Sequence, residues 1–120
     1  LEAVKNSYNS YTMDSLALAV GEASIRDEAY FRETCRKVAA TRDRAADELR
    51  ALGFEVTPSL ANFLFATHPK KAAPEIFSAL REKGIFIRYF KLPRIDNHLR
   101  ITVGTDEQMD ALIAALKQIL

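Results

Sequence analysis

At 120 residues, 48% hydrophobic, 28% charged and with a net charge of +1, the chain has the profile of one ordinary globular domain. At that length roughly two thirds of the unfolded surface can be buried, enough to fold without disulfides or metal. Interspersed charges exclude the basic field a nucleic-acid partner needs, and no apolar run approaches the roughly 20 residues that cross a bilayer.

The single cysteine, Cys35, rules out an internal disulfide and fits a reducing compartment, and no secretory signal opens the chain. Cytoplasm is the expected location. The sequence starts at Leu1 rather than Met, inside what reads as a structured segment, as expected of a fragment of a longer chain.

In chain order, the first dozen residues, LEAVKNSYNSYT, read as an extended approach, with Tyr8, Asn9 and Tyr11 forming a polar-aromatic loop cluster. Thr12 or Asp14 can cap a helix running towards Arg26, with Leu16, Ala19, Val20 and Ala23 on one face. Gly21 weakens its middle. Asp27 can cap a longer helix from Glu28 to Leu52, carrying Phe31, Cys35, Val38, Ala45, Leu49 and Leu52 on an apolar stripe interrupted by Arg42. Its expected length is roughly 37 Å at 1.5 Å per residue, and so long a helix often bridges to something outside its own domain. Gly53 is placed to end it.

The period then changes to two. Phe54 and Val56 flank Glu55, Pro58 breaks the run, and Asn62 to Thr67 reads as a buried strand. A helix from about Ala72 to Lys83 buries Ile76 and Leu80 and ends at Gly84. Strands are predicted at Ile85 to Phe90 and Leu99 to Val103. Thr105-Asp106-Glu107-Gln108 is a capping-box signature opening a last helix, with Met109, Leu112, Ile113, Leu116 and Ile119 facing the core. The order gives class α+β, a small antiparallel-rich sheet backed by helices with a long N-terminal interdomain helix. The expected organisation is one domain over residues 1–120, a helical segment at 1–52 and a sheet-and-helix subdomain at 53–120.

No glycine-rich phosphate loop, no Cys or His cluster at metal spacing and no serine nucleophile elbow is present in the sequence. His68 and His98 fall in predicted loops and read as solvent-exposed imidazoles. Cys35, on the apolar stripe, reads as a small buried hydrophobe rather than a reactive thiol. Lys70-Lys71 reads as a solvated charge pair at a helix entry.

Two arginines within strands are more informative. Period-two alternation puts Arg100 and Thr102 on one face and Leu99, Ile101 and Val103 on the other, while Arg88 shares a face with Phe86 and Phe90. If these strands pair through the loop between Lys91 and His98, both guanidiniums can converge on one anion, a task suited to their planar forks. The alternative is that each arginine caps a solvated sheet face. Asn62, at a strand start, can bind a ligand or tie down the preceding turn.

The stretch IFIRYFKLPRIDNHLRITVGT, Ile85 to Thr105, resembles the corresponding part of histidinol-phosphate aminotransferases, members of the fold-type I pyridoxal-phosphate enzymes. VKNSYNSYTMDSLA and SLANFLFA resemble segments of the same family in the same order, so the similarity spans nearly the whole chain. LRITVGT is shared loosely with several aminotransferases of this fold; its combination with RYF-K-LPRI points to the histidinol-phosphate branch. The resemblance implies a C-terminal small domain beside a large cofactor-binding domain, in an enzyme that moves an amino group between histidinol phosphate and 2-oxoglutarate in histidine biosynthesis.

It further implies that Arg100 grips the substrate's phosphate, where related aminotransferases hold a carboxylate, and that Arg88 is a second arginine there. Asn62 takes a supporting role on a matching ANF motif, and Tyr8 and Asn9 lie on the interdomain approach. Pyridoxal 5'-phosphate would be held mainly by the large domain, whose Schiff-base lysine, pyridinium aspartate and phosphate cradle would lie upstream of Leu1. The chain alone is then expected to be inactive and to self-associate, and the full enzyme to be a homodimer with a small-molecule substrate and no nucleic-acid or membrane partner. Three other readings remain open: an aromatic-amino-acid aminotransferase or a threonine-phosphate decarboxylase, a stand-alone ferredoxin-like module that binds amino acids, and a structural domain for dimerisation.

Overall fold

The computed structural model describes residues 2–7 and 12–120; the cluster of Tyr8, Asn9 and Tyr11 lies outside the described residues. The chain divides into two compact units, Leu1–Thr34 and Cys35–Leu120. Its elements are α1 (Glu2–Asn6), α2 (Ser15–Arg26), α3 (Glu28–Ala51), β1 (Glu55–Val56), β2 (Phe63–Thr67), α4 (Ala73–Glu82), β3 (Arg88–Tyr89), β4 (Leu99–Thr102) and α5 (Asp106–Ile119).

The first unit is helical. Where an extended approach is expected, Glu2–Asn6 forms a short helix, because Glu2 in the first turn and Lys5 in the last complement the helix dipole. Asp14, not Thr12, caps α2, its carboxylate accepting from the Ala17 N–H at 2.7 Å. Asp27 accepts from the Tyr30 N–H at the start of α3. The expected buried face of α2 is not realised: no residue of α2 is buried, and Leu16 and Ile25 are 72% and 83% exposed. Phe31 and Cys35 on α3 are exposed as well, which corrects the reading of Cys35 as a buried hydrophobe. The apolar stripe of α3 meets a core only further along, at Ala45 and Leu49, which are fully buried.

The second unit is a four-stranded antiparallel sheet in the order β1-β2-β4-β3. Leu64 and Ala66 of β2 and Leu99 and Ile101 of β4 join one buried cluster with Ala45 and Leu49 of α3, Ile76 and Leu80 of α4, and Met109, Leu112, Ile113 and Leu116 of α5. These helices therefore cover one face of the sheet, and the alternate residues of the strands form the other. β2 alternates half-buried and buried positions, so it is a strand with one covered face and not the doubly buried strand its apolar run predicts. The predicted strand Ile85–Phe90 contracts to Arg88–Tyr89, because β3 is an edge strand paired only where it meets β4.

Helix ends follow local rules. At the end of α3 the Phe54 N–H donates to the Leu49 carbonyl and the Gly53 N–H to that of Arg50, a Schellman arrangement with Gly53 at φ 91°. Ile85 and Gly84 repeat the pattern on Leu80 and Arg81, with Gly84 at φ 77°. Thr105 and Gln108 form the predicted capping box of α5. Arg44 of α3 forks onto Asp106 and Asp110 of α5 and onto Glu48, which raises the Arg44 pKa. The Asp106 carboxyl accepts from the Thr41 hydroxyl and then from Arg44, and both hold it below the usual carboxylate range.

An arginine-bearing sheet face and the family of the chain

The uncovered face of the sheet gathers the side chains that alternate with the core positions. In register, Arg88 lies directly opposite Arg100, which is itself opposite Phe65 of β2, and Phe63 is opposite Thr102. Directly opposed residues of an antiparallel pair project from the same face with Cα atoms roughly 4.5–5.5 Å apart. The two arginines are thus brought together as the alternation allows. Arg88 is exposed, whereas Arg100 is half-buried.

Arg100, Arg88 and His98 each lean on a phenylalanine. The Arg100 Cζ sits 4.3 Å from the Phe63 ring centre, and the Arg88 Cζ lies 5.9 Å from that of Phe90. His98 stacks on Phe65 with ring centres 4.7 Å apart and planes 7° apart. The sequence carries this as matched i, i+2 pairs: Phe63 and Phe65 on β2, His98 and Arg100 beside and on β4, Arg88 and Phe90 on and beside β3.

Charge on the face is uncompensated. Arg26, Arg32, Arg42, Arg44 and Arg50 all bond to carboxylates. Among the described residues neither Arg88 nor Arg100 bonds to one, and the Arg100 Nε is buried with no hydrogen-bond partner. Like charges directly opposite one another destabilise a sheet, and an unpaired buried donor adds to that cost. A bound anion would offset both.

Asn62 does not join this cluster through its side chain. It is exposed at the entry to β2, and its backbone carbonyl accepts from the Val103 N–H at 2.9 Å. A residue that motif reading passed over does more to build the face. Asn97 Oδ1 accepts from the Ala73 N–H at 3.0 Å, supplying a cap that Ala72 cannot, while its Nδ2 donates to Thr67 Oγ1 at 3.1 Å. The loop that delivers His98 and Arg100 is thereby pinned to both α4 and β2.

Neither histidine is a free surface imidazole. His68 is buried, edge-on to Phe54 at 5.0 Å, with its Nδ1 accepting from the Lys70 N–H. His98 is half-buried beneath its stack on Phe65. The Lys70-Lys71 pair separates: Lys70 is exposed, and the Lys71 ammonium is half-buried and donates to the Ile119 carbonyl at the end of α5. The largest departure from the sequence stripe is Arg42, buried and paired with Asp43 beside a cavity of about 320 Å³ under the Pro58–Leu60 turn. That cavity is lined by Leu64, whose side chain belongs to the core face, so it is separate from the arginine face.

A model of the class I and II aminotransferases matches residues 1–116. The chain belongs to that family. It is 56% identical over 119 residues to histidinol-phosphate aminotransferase 2 of Dechloromonas aromatica, covering 99% of this chain and 33% of the relative. It is 54% identical to histidinol-phosphate aminotransferase of Marinomonas sp. strain MWYL1, covering 98% and 34%. The crystal structure of histidinol-phosphate aminotransferase from Sinorhizobium meliloti, solved with pyridoxal-5'-phosphate, superposes with a TM-score of 0.85 at 30% identity, over 98% of this chain and 33% of that one. The chain spans about a third of the length of the relatives it matches.

Pyridoxal 5'-phosphate, the cofactor this aminotransferase family implies, asks for a lysine amine, an acid for the pyridinium nitrogen and a phosphate cradle that converge. Among the described residues no such set gathers. The Lys71 ammonium is committed to α5, that of Lys83 donates to Gln118 at 2.8 Å, and Lys5, Lys70, Lys91 and Lys117 are exposed. The described residues do not fit that group. In the described residues no helix is long and apolar enough to cross a membrane.

Proposed function

We propose that this chain is the substrate-gripping, C-terminal small domain of a pyridoxal-phosphate-dependent aminotransferase that moves an amino group between histidinol phosphate and 2-oxoglutarate, a step of histidine biosynthesis. The observation that carries the reading is the pairing of Arg88 with Arg100 in register on the uncovered sheet face, without a carboxylate to neutralise them. Two planar donors on a rigid sheet suit a phosphate dianion and a dicarboxylate alike, because both present several oxygens to a fixed fork. High identity to relatives that bear the histidinol-phosphate name supports the choice of donor.

In this reading Arg100 holds the substrate phosphate, Arg88 adds a second, more solvated contact, and Asn62 supports the entry to β2. The described lysines support a division of labour in which the rest of the enzyme supplies the Schiff-base lysine and the cofactor phosphate cradle, so that this chain alone is inactive. The cofactor, when bound there, supplies the electron sink for the transfer. Exposed apolar residues on α2 and early α3, among them Leu16, Ile25 and Phe31, are suited to covering by the large domain and by the second subunit of a cytoplasmic homodimer.

The test is amino transfer by the full-length enzyme to 2-oxoglutarate from histidinol phosphate, phenylalanine and other amino donors in parallel. Histidinol phosphate is expected to give the highest kcat/KM. Preference for phenylalanine would replace this reading with an aromatic aminotransferase of the same fold, and absence of transfer from every donor would overturn it.

A further inference from the structure

The arginine face carries a third nitrogen donor that the proposed substrate grip does not use. His98 enters the face two residues before Arg100, and its stack on Phe65 places the imidazole on the same side of the sheet as the two guanidiniums, since Phe65 is the register partner of Arg100. Two residues of strand span roughly 6.5 Å, so both groups lie within reach of one phosphate-sized anion. The ring is fixed from two directions, by the Phe65 face and by the Asn97 anchor of the preceding residue.

The two ring nitrogens have different surroundings. Nδ1 is buried and has no hydrogen-bond partner. Nε2 is not among the buried, unpartnered atoms and bonds to no described residue. A buried N–H without an acceptor is more costly than a buried lone pair without a donor. A proton on Nε2 leaves only a lone pair at the buried Nδ1, so the ring is suited to donate from Nε2.

We propose that His98 is a specificity-determining residue of the phosphate grip, donating from Nε2 to an oxygen of the phosphomonoester that Arg100 and Arg88 hold. The inference rests on the substrate-gripping reading of this face and adds one residue to it. A stacked imidazole donor suits a phosphoryl group, whose three terminal oxygens can accept more hydrogen bonds than two guanidinium forks supply. The same donor does less for a substrate end that carries no phosphate.

The experiment uses the full-length enzyme with His98→Phe, which keeps a ring on Phe65 and removes the donor, and His98→Gln, which keeps an N–H donor and removes the ring. The first readout is the ratio of kcat/KM for histidinol phosphate to that for unphosphorylated histidinol. The second is the affinity for inorganic phosphate, titrated calorimetrically. In His98→Phe both the ratio and the phosphate affinity are expected to fall about tenfold or more, the size of one hydrogen bond to a charged group. His98→Gln is expected to recover most of that loss. Values within twofold of wild type in His98→Phe would overturn the proposal, as would equal losses in both variants, which would make His98 a packing residue. If the wild-type enzyme transfers no amino group from histidinol phosphate, the parent reading fails, and the phosphate titration decides the role of His98 without it.

Discussion

Arg100 and Arg88 stand opposite each other, yet they should not contribute equally, and their inequality can be worked out from burial. Arg100 is half-buried with its Cζ 4.3 Å from the Phe63 ring, so its bonds to an anion form in a partly desolvated setting. Hydrogen bonds to charged groups there are worth about 1.5–3 kcal/mol, which corresponds to roughly a 10- to 150-fold change. Arg88 is exposed and only 5.9 Å from Phe90, so water and salt screen it, and about 0.5–1 kcal/mol, or roughly two- to fivefold, is expected. In the full-length enzyme Arg100→Ala should lower kcat/KM for the phosphorylated donor by the larger factor and Arg88→Ala by the smaller. Arg100→Lys should fall between wild type and Arg100→Ala, since it keeps the charge and loses the fork. Stability should move little in Arg100→Ala: loss of the Phe63 contact, about 0.5–1 kcal/mol, is offset by relief of repulsion across the strand pair. The measurements are steady-state kinetics and a denaturation curve on each variant. An Arg88→Ala loss equal to or larger than that of Arg100→Ala, or unchanged kinetics in Arg100→Ala, would refute the reasoning.

Two further predictions concern the scaffold. A Cβ on Gly53, at φ 91°, would stand 3.2 Å from His68 Nε2, whereas one on Gly84, at φ 77°, would meet nothing within 4 Å. Both alanine variants should lose about 1–2 kcal/mol to the left-handed backbone, with a further loss only for Gly53→Ala, so equal urea midpoints would contradict the His68 contact. The Asp106 carboxyl is held below its ordinary value of 3.8 by the Thr41 hydroxyl and then Arg44, so its stabilising effect is fully present above that pH and is lost as pH falls through the lower folded value. Asp106→Asn should flatten the acid limb of a melting-temperature profile in that window, and an unaltered limb would remove Asp106 from the account.

How legible each feature was in the sequence follows the distance over which it is decided. Helix ends are decided within five or six residues, and Gly53, Gly84 and the Thr105–Gln108 box all fall where local chemistry puts them. The core face of the sheet is decided by period-two alternation, and Leu64, Ala66, Leu99 and Ile101 were readable for that reason. The extent of β3 was not, because IFIRYF has strand character throughout while pairing depends on how far β4 runs beside it. The histidines read as exposed in the sequence because their covers, Phe54 and Phe65, lie elsewhere in the chain. Cys35 reads as buried for the opposite reason: its stripe is apolar, but among the described residues nothing buries it.

The same distinction applies to the arginine face. Alternation alone put Arg100 on the face opposite the core, but it left open whether Arg88 joined it or merely met water on an edge. Register puts Arg88 beside Arg100, because Arg88↔Arg100 is a direct pair and not a diagonal one, while Arg88 stays exposed on an edge strand. A direct like-charge pair is a feature that sheets ordinarily avoid. Among the described residues it is left without a carboxylate, while Arg44 binds three. The chain does not lack acids to neutralise its sheet face; it places them elsewhere. A face built this way gives up some stability in exchange for a fixed positive potential, and it holds the cations in place with Phe63 and Phe90, which support without neutralising. That combination suits reversible binding of an anion, because an internal carboxylate would compete with it.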